Sequence, residues 1–504
     1  MRKSTLPILP FLLAAVITGV FLPAGPAHAQ SKRSTDPKDR EIELLKTEIK
    51  QLEQRVDTLE GLNQRVKVID QKVDVQAQKL DVQSQKIDVE AQTEQKRALA
   101  WPIVKAGDEG FSLSSPNHDY NIGFGGIIQA DGRFFASGAD KDVSSTFYLN
   151  RLRPILTGSV GKYYNFNITP DFGQGKVVLQ DAYLNITYFD FASLRSGKFK
   201  APLDLERLQS DRDLEFSQRS EIQNLVPNRD TGFDLHGRLL DGRVFYDAAL
   251  TNGVPNNTAS DTYDIDNNDG KDFVGRIFTT PFELGENRWL KALGFGIAGS
   301  YGDERGSTIS SYKTYGMSTW FAYNSGVTAS GLRARLEPQA YYYLGPFGLM
   351  AEYAQDEHSL SRSTTNGAPT PFAKPIDRTD TFTDTGYFAQ ASYLLTGEDA
   401  SYGWVKPTHP FDPRNGWWGA WELAARISNV AADSRQFQLG FANPSVSAKT
   451  ATEFAAGINW YLSSNIKWQW DYANTYFDGG AGTTALPRDR TNESCFESQL
   501  QISF

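Results

Sequence analysis

Apolar residues first recur at heptad spacing from Ile42. The a positions are Ile42, Ile49 and Val56, followed by Asn63, Asp70, Ala77, Ser84 and Ala91, and the d positions are Leu45, Leu52, Leu59, Val66, Val73, Leu80 and Ile87. A sustained period of 3.5 predicts a left-handed α-helical coiled coil over 41–92. Its oligomerisation seam is Ile42, Leu45, Ile49, Leu52, Val56 and Leu59, and such a rod would be about 75 Å long. The seam thins after Asn63, where Ala and Ser take the a positions. A single solvated helix is the competing reading, and a polar a residue such as Asn63 fixes strand number without disclosing it.

From about residue 117 to 504 the period falls to two. Tyr120, Ile122, Phe124, Ile128 and Phe134 oppose Asn121, Gln129, Asp131 and Arg133. Leu184, Ile186 and Tyr188 oppose Asp181, Asn185 and Thr187. Trp421, Leu423 and Ile427 oppose Glu422, Arg426 and Ser428, and Ile466, Trp468, Trp470 and Tyr472 oppose Lys467, Gln469 and Asp471. Strict alternation marks strands with one apolar and one polar face. Charges recurring on the polar face of long strands, with Trp and Tyr near strand ends, predict an all-β transmembrane barrel with a wet lumen rather than a soluble sandwich. Stretches such as Asn252–Lys271 and Ser361–Thr383 read as long loops. Sixteen antiparallel strands would use about 24 residues each with their connections, and eighteen fit nearly as well.

The remaining segments are short. Residues 1–29 read as a signal peptide: Arg2 and Lys3, an apolar run to Leu22, and Ala27-His28-Ala29 before the cleavage point. Residues 30–40 and 93–116 read as linkers flanking the coiled coil. No later apolar run is long enough for a spanning helix.

The chain has 504 residues, 60 Asp and Glu against 51 Lys and Arg, and one cysteine. A single cysteine excludes a disulfide framework, and the acidic balance argues against nucleic acid as a partner. Five scattered histidines predict no metal centre. Asp264–Asp272 has the residues of a calcium loop, but Gly270 falls one position late, so a solvated loop is preferred. Neither G-x-S-x-G nor a P-loop is present, and no enzyme activity or cofactor is expected.

Several motifs together resemble the bacterial phosphate-selective porin O/P family. They are Gly125-Gly-Ile-Ile-Gln-Ala-Asp131, Asn150-Arg-Leu-Arg-Pro-Ile-Leu-Thr-Gly158, Gln180-Asp-Ala-Tyr183, Gly197-Lys-Phe-Lys-Ala-Pro-Leu-Asp-Leu-Glu206, Val226-Pro-Asn-Arg-Asp-Thr-Gly232 and Gly419-Ala-Trp-Glu-Leu-Ala-Ala-Arg426. The resemblance implies a signal peptide, sixteen strands, a homotrimer and a lumen narrowed by an inward-folded third loop. Separately, Phe504 at the end of the alternating last strand resembles the assembly signal of bacterial outer-membrane proteins. Carried over residue by residue, the family resemblance places Arg151, Arg153, Asp181, Arg207, Ser210 and Asp211 at the constriction. Two departures stand out: Ile127 replaces an expected lumen arginine, and Asp211 puts a negative charge where a phosphate oxygen would be received.

Charge is uneven along the chain. Residues 101–504 hold 35 basic and 46 acidic side chains, a net charge of −11. Selectivity in a pore is set by local rings, and the candidate waist cations are Arg151, Arg153, Lys198, Lys200, Arg207, Arg212 and Arg219. The competing reading makes them ordinary lumen charges balanced by Asp181, Glu206, Asp211 and Asp213. Two functions follow. One is an outer-membrane porin passing small hydrophilic solutes, anions such as phosphate among them, with its coiled coil in the periplasm. The other is a lipid-embedded barrel serving mainly as anchor for a coiled coil that tethers the outer membrane to the cell wall.

Overall fold

The computed structural model describes residues 37–98, 101–137, 143–257, 269–363, 377–480 and 489–504. The expected signal peptide 1–29 and residues 264–268 of the calcium-like loop lie outside them. The chain divides into two units, Met1–Glu94 and Gln95–Phe504.

Helix α1 runs unbroken from Pro37 to Ala98 over 62 residues, about 93 Å of rise. Proline suits the first helical turn, where its missing N–H costs no hydrogen bond. The helix outruns the heptads at both ends, so the expected linker boundaries at 40 and 93 move. Heptads mark only an apolar seam, whereas Glu94 to Ala98 continue the helix on intrinsic propensity. Ile42, Leu45, Ile49, Leu52, Val56 and Leu59 are all exposed on the single chain. Among the described residues no helix is long and apolar enough to cross a membrane.

In the second unit sixteen described strands close into an antiparallel barrel. They are β1 (Tyr120–Ser137), β2 (Thr146–Val160), β3 (Tyr164–Asp171), β4 (Val178–Phe189), β5 (Ala192–Lys200), β6 (Arg229–Leu239), β7 (Val244–Thr251) and β8 (Asp272–Thr279). The ring continues through β9 (Leu293–Thr308), β10 (Val327–Leu344), β11 (Phe347–Ser363), β12 (Asp377–Leu394), β13 (Ala420–Ala431), β14 (Thr450–Tyr461), β15 (Ile466–Asp478) and β16 (Asn492–Ser503). β16 pairs back onto β1, with Ile502 opposite Ile128 and Glu497 opposite Arg133. Closure leaves no free sheet edge along the ring, which a membrane requires.

Within the expected linker 93–116, residues 103–114 form a hairpin instead. Ile103–Gly107 pairs with Gly110–Ser114, and the second strand continues onto β1, Phe111 opposite Phe124. Its alternation is too short to read as a strand alone. Gly110, which follows the turn at Asp108 and Glu109, has φ +89°, and a Cβ there would lie 2.4 Å from the Phe124 carbonyl, so this position needs glycine. The hairpin covers the part of the β1 edge that β16 is too short to reach. Phe504 sits at the join. It exchanges backbone hydrogen bonds with Gly126 at 2.8 and 3.1 Å, and its ring packs against Phe111 and Phe124, each at 6.2 Å.

The period of two becomes two faces. Phe124, Ile128 and Phe134 are exposed outward, while Gln129, Asp131 and Arg133 are buried inward. Trp421, Trp460, Trp468 and Trp470 stack on the outer face near one rim, at centroid distances between 4.8 and 6.5 Å. The indoles of Trp421 and Trp460 both donate to the Trp418 carbonyl. An apolar ring with a satisfied N–H suits the boundary between hydrocarbon and water.

Candidate functional site

Residues 201–228, between β5 and β6, fold into the barrel. Their apolar side chains Leu203, Leu205, Ile222, Leu225 and Val226 are at most 2% exposed. A connection this rich in Leu and Ile gains by leaving solvent. It packs with Met350 and Phe388 of the wall and with Tyr312, Trp320 and Phe321 of a second inward segment between β9 and β10. A third segment, between β12 and β13, brings the Tyr402 hydroxyl to the Leu205 carbonyl at 2.6 Å. Only the first of the three was expected, and that from the family resemblance.

Polar bonds fix the 201–228 loop against one side of the wall. Glu352 accepts from the Leu205 and Glu206 amides, both at 2.7 Å, and Asp471 from the Ser217 amide at 2.9 Å. Lys467 donates to the Leu214 carbonyl at 2.7 Å, and Arg426 pairs with Glu206 at 3.5 Å and Glu453 at 2.8 Å. These contacts lie on β11, β13, β14 and β15, where acidic residues predominate. On the opposite side, β2 meets the loop through Arg151 and Arg153 at Asp211.

A cavity of about 430 Å³ lies between that side of the wall and the loop. Among the described residues it is lined by six basic side chains, Arg151, Arg153, Lys176, Arg207, Arg219 and Lys313, against two acidic ones, Asp171 and Glu221. Its other walls are amides and hydroxyls such as Asn150, Gln180, Gln218 and Asn224. The basic excess is local, since the barrel region as a whole is acidic.

Asp211 sits among three of these arginines. Arg153 and Arg219 both donate to its carboxylate, and Arg151 Nε lies 3.4 Å from Oδ1. Arg153 also holds Asp171 at 2.6 Å, and Arg151 holds Gln129 at 2.7 Å. Burial opposes ionisation of Asp211, but Arg153, Arg219 and Arg151 outweigh it and keep the carboxyl well below its ordinary range. The three guanidinium groups therefore already hold an anion, supplied by the chain itself.

The residues read from sequence divide into three groups. Arg151, Arg153 and Arg207 line the cavity, and Asp211 sits in the arginine cluster. Lys200 stands beside this group, donating to the Gln209 carbonyl at 2.8 Å. Asp181 is elsewhere engaged: Arg229 grips it with two bonds of 3.1 Å. Lys198 is buried on β5 opposite Ala182 and Thr231, outside the cavity lining. Ser210 shapes a turn, its carbonyl accepting from the Asp213 amide at 2.9 Å, and does not line the cavity. Sequence reading missed Lys176, Lys313, Glu221 and Arg229. Arg229 stands in the Val226–Gly232 motif and was visible there, whereas Lys313 reaches the lumen only because its loop turns inward.

Comparison with known proteins follows this geometry. The chain is 24% identical over 397 residues to Porin O of Pseudomonas aeruginosa, covering 71% of this chain and 83% of that protein. Among solved structures it is similar to OmpT, an outer membrane protein of Vibrio cholerae, at 11% identity and a TM-score of 0.47, with 77% of this chain and 98% of that one covered. It is also similar to an anion-selective porin from Comamonas acidovorans, at 10% identity and a TM-score of 0.45, covering 76% and 100%. The model of the phosphate-selective porin O and P family matches residues 122–504, almost the entire barrel unit. The chain belongs to the phosphate-selective porin O and P family, as an outer-membrane β-barrel channel and not an enzyme.

Proposed function

We propose that this porin passes small hydrophilic solutes passively and prefers anions, phosphate among them, at the cavity beside the 201–228 loop. One observation carries the reading: six basic side chains line the cavity against Asp171 and Glu221, with Asp211 as a third carboxylate beside them, inside a barrel whose region is acidic overall. A narrow passage selects by the charges at its waist rather than by its total charge. Arg207 and Lys313 carry the preference, because neither has a carboxylate within ion-pair distance among the described residues. Arg151, Arg153 and Arg219 contribute less, since Asp211 offsets them.

The helix extends the proposal. Its exposed seam supports self-association in a trimer, with the coiled coil on the periplasmic side. The same exposed stripe favours a second reading, in which the coil tethers the outer membrane to the cell wall and the barrel is chiefly an anchor. Reconstitution in a planar bilayer separates the two. Discrete conductance steps, with a reversal potential of anion sign in a KCl gradient, are expected. A barrel that does not conduct leaves the tether, and a cation-signed potential overturns the anion preference.

A further inference from the structure

Three buried carboxylates meet where the inward loop leaves the wall. Asp204, just before the short helical turn Leu205–Leu208, is 1% exposed, Glu337 on β10 0% and Glu352 on β11 4%. Glu352 lies opposite Gln339 in the ladder, which puts Glu337 on its diagonal, on the same lumen face. One carboxylate oxygen from each lies within 4.8 Å of the others.

Their existing bonds do not account for this grouping. Glu352 accepts the Leu205 and Glu206 amides, and Asp204 accepts the Arg207 amide and the Gln223 side chain. Glu337 is different: both of its oxygens are buried and neither has a hydrogen-bond partner among the described residues. Among the described residues none of the three carboxylates has a Lys, Arg or His at ion-pair distance. The nearby Arg335 is spent on Asn256, Asp272 and Ser300. Uncompensated buried charges are costly and are normally paired or bound to metal.

We propose that Asp204, Glu337 and Glu352 form a site for a hard divalent cation of calcium's size, which clamps the 201–228 loop to β10 and β11. All-oxygen, all-carboxylate donors select calcium or magnesium over softer metals. Oxygens bound to calcium at 2.3–2.6 Å lie at most about 5 Å apart, and the three groups meet that limit. The ion supplies Glu337 with the partner it lacks and balances Asp204 and Glu352 without breaking their bonds to the loop. It would fix the loop whose far side forms the constriction, whether or not that constriction prefers anions.

The test uses the full chain in detergent, stripped with chelator and dialysed to equilibrium against radioactive calcium. The unchanged protein is expected to bind one ion per chain more than E337Q. That variant keeps the shape of the side chain and removes no hydrogen bond, and its fold is checked by heat-modifiable gel mobility. If E337Q does not fold, D204N is read in its place, since asparagine also caps a helix. Calcium is further expected to raise the thermal midpoint of the unchanged protein and to leave that of the folded variant unmoved. Absence of calcium binding by the unchanged protein, or equal binding by the variant, overturns the site.

Discussion

Arg153 on the barrel wall and Asp211 on the inward loop form an ion pair, and Asp211 holds Arg219 of its own loop at the same time. One carboxylate thus joins wall to loop and sets how much positive charge the passage presents. Arg153 is shared with Asp171, so the wall contributes its own counter-charge as well.

Replacing Asp211 with asparagine should strengthen anion preference. The substitution keeps the shape but leaves Arg151, Arg153 and Arg219 with one negative charge fewer. A change of about 1 kcal/mol in the partly screened energy of a passing ion gives about a fivefold change in the anion-to-cation permeability ratio. The reversal potential in a KCl gradient measures it, and an unmoved value would place the cluster away from the ion path.

The pH dependence of that cluster has a definite sign. A carboxyl whose folded value is depressed stabilises the loop at all pH above its ordinary range and loses that contribution only as pH falls through the lowered value. Asp211 lies well below the ordinary 3.8. The clamp should therefore hold unchanged from neutral pH down to about 4. Loss of the clamp in more acid solution should raise anion preference, and reversal potentials recorded along an acid series would show a plateau followed by a rise.

Arg207→Ala should act in the opposite direction. Arg207 lines the cavity, and among the described residues the hydrogen bond of its guanidinium is a long 3.4 Å contact with Asn257. Its charge is therefore felt by ions rather than cancelled by a carboxylate. Removing it is expected to lower anion preference severalfold with the fold intact, because the Asp204 cap bonds the Arg207 backbone and not its side chain. The readout is again the reversal potential, with gel mobility as the fold control.

Deleting residues 41–92 should separate assembly from conduction. The closed ring and its hairpin are complete within the second unit. Single-channel conductance should be unchanged, while oligomers weaken or envelope attachment falls. Light scattering of the purified protein and bilayer recording on the same sample check both halves. Lost conductance would show that the helix is needed by the pore.

The sequence by itself determined the two periods, and through them the long helix and the outward and inward faces of the strands. Those are local properties: side chains two apart on a strand, or three and four apart on a helix, share a face whatever the rest of the chain does. Alternation at Gln129, Asp131 and Arg133 placed them in the lumen, and the motifs around Arg151 and Arg153 marked the constricted wall. Tertiary structure decided the rest. It set closure at sixteen strands through the pairing of β16 with β1, and made a hairpin of the stretch before β1 because that edge needed a partner. It turned three connections inward, which put Lys313 into the same cavity as Arg151 and gave Asp181 to Arg229. It also brought Asp204, Glu337 and Glu352 together across more than a hundred residues of chain. Periodicity is blind to such meetings, because they depend on which loops find apolar surface inside the barrel, and that surface exists only once the ring has closed.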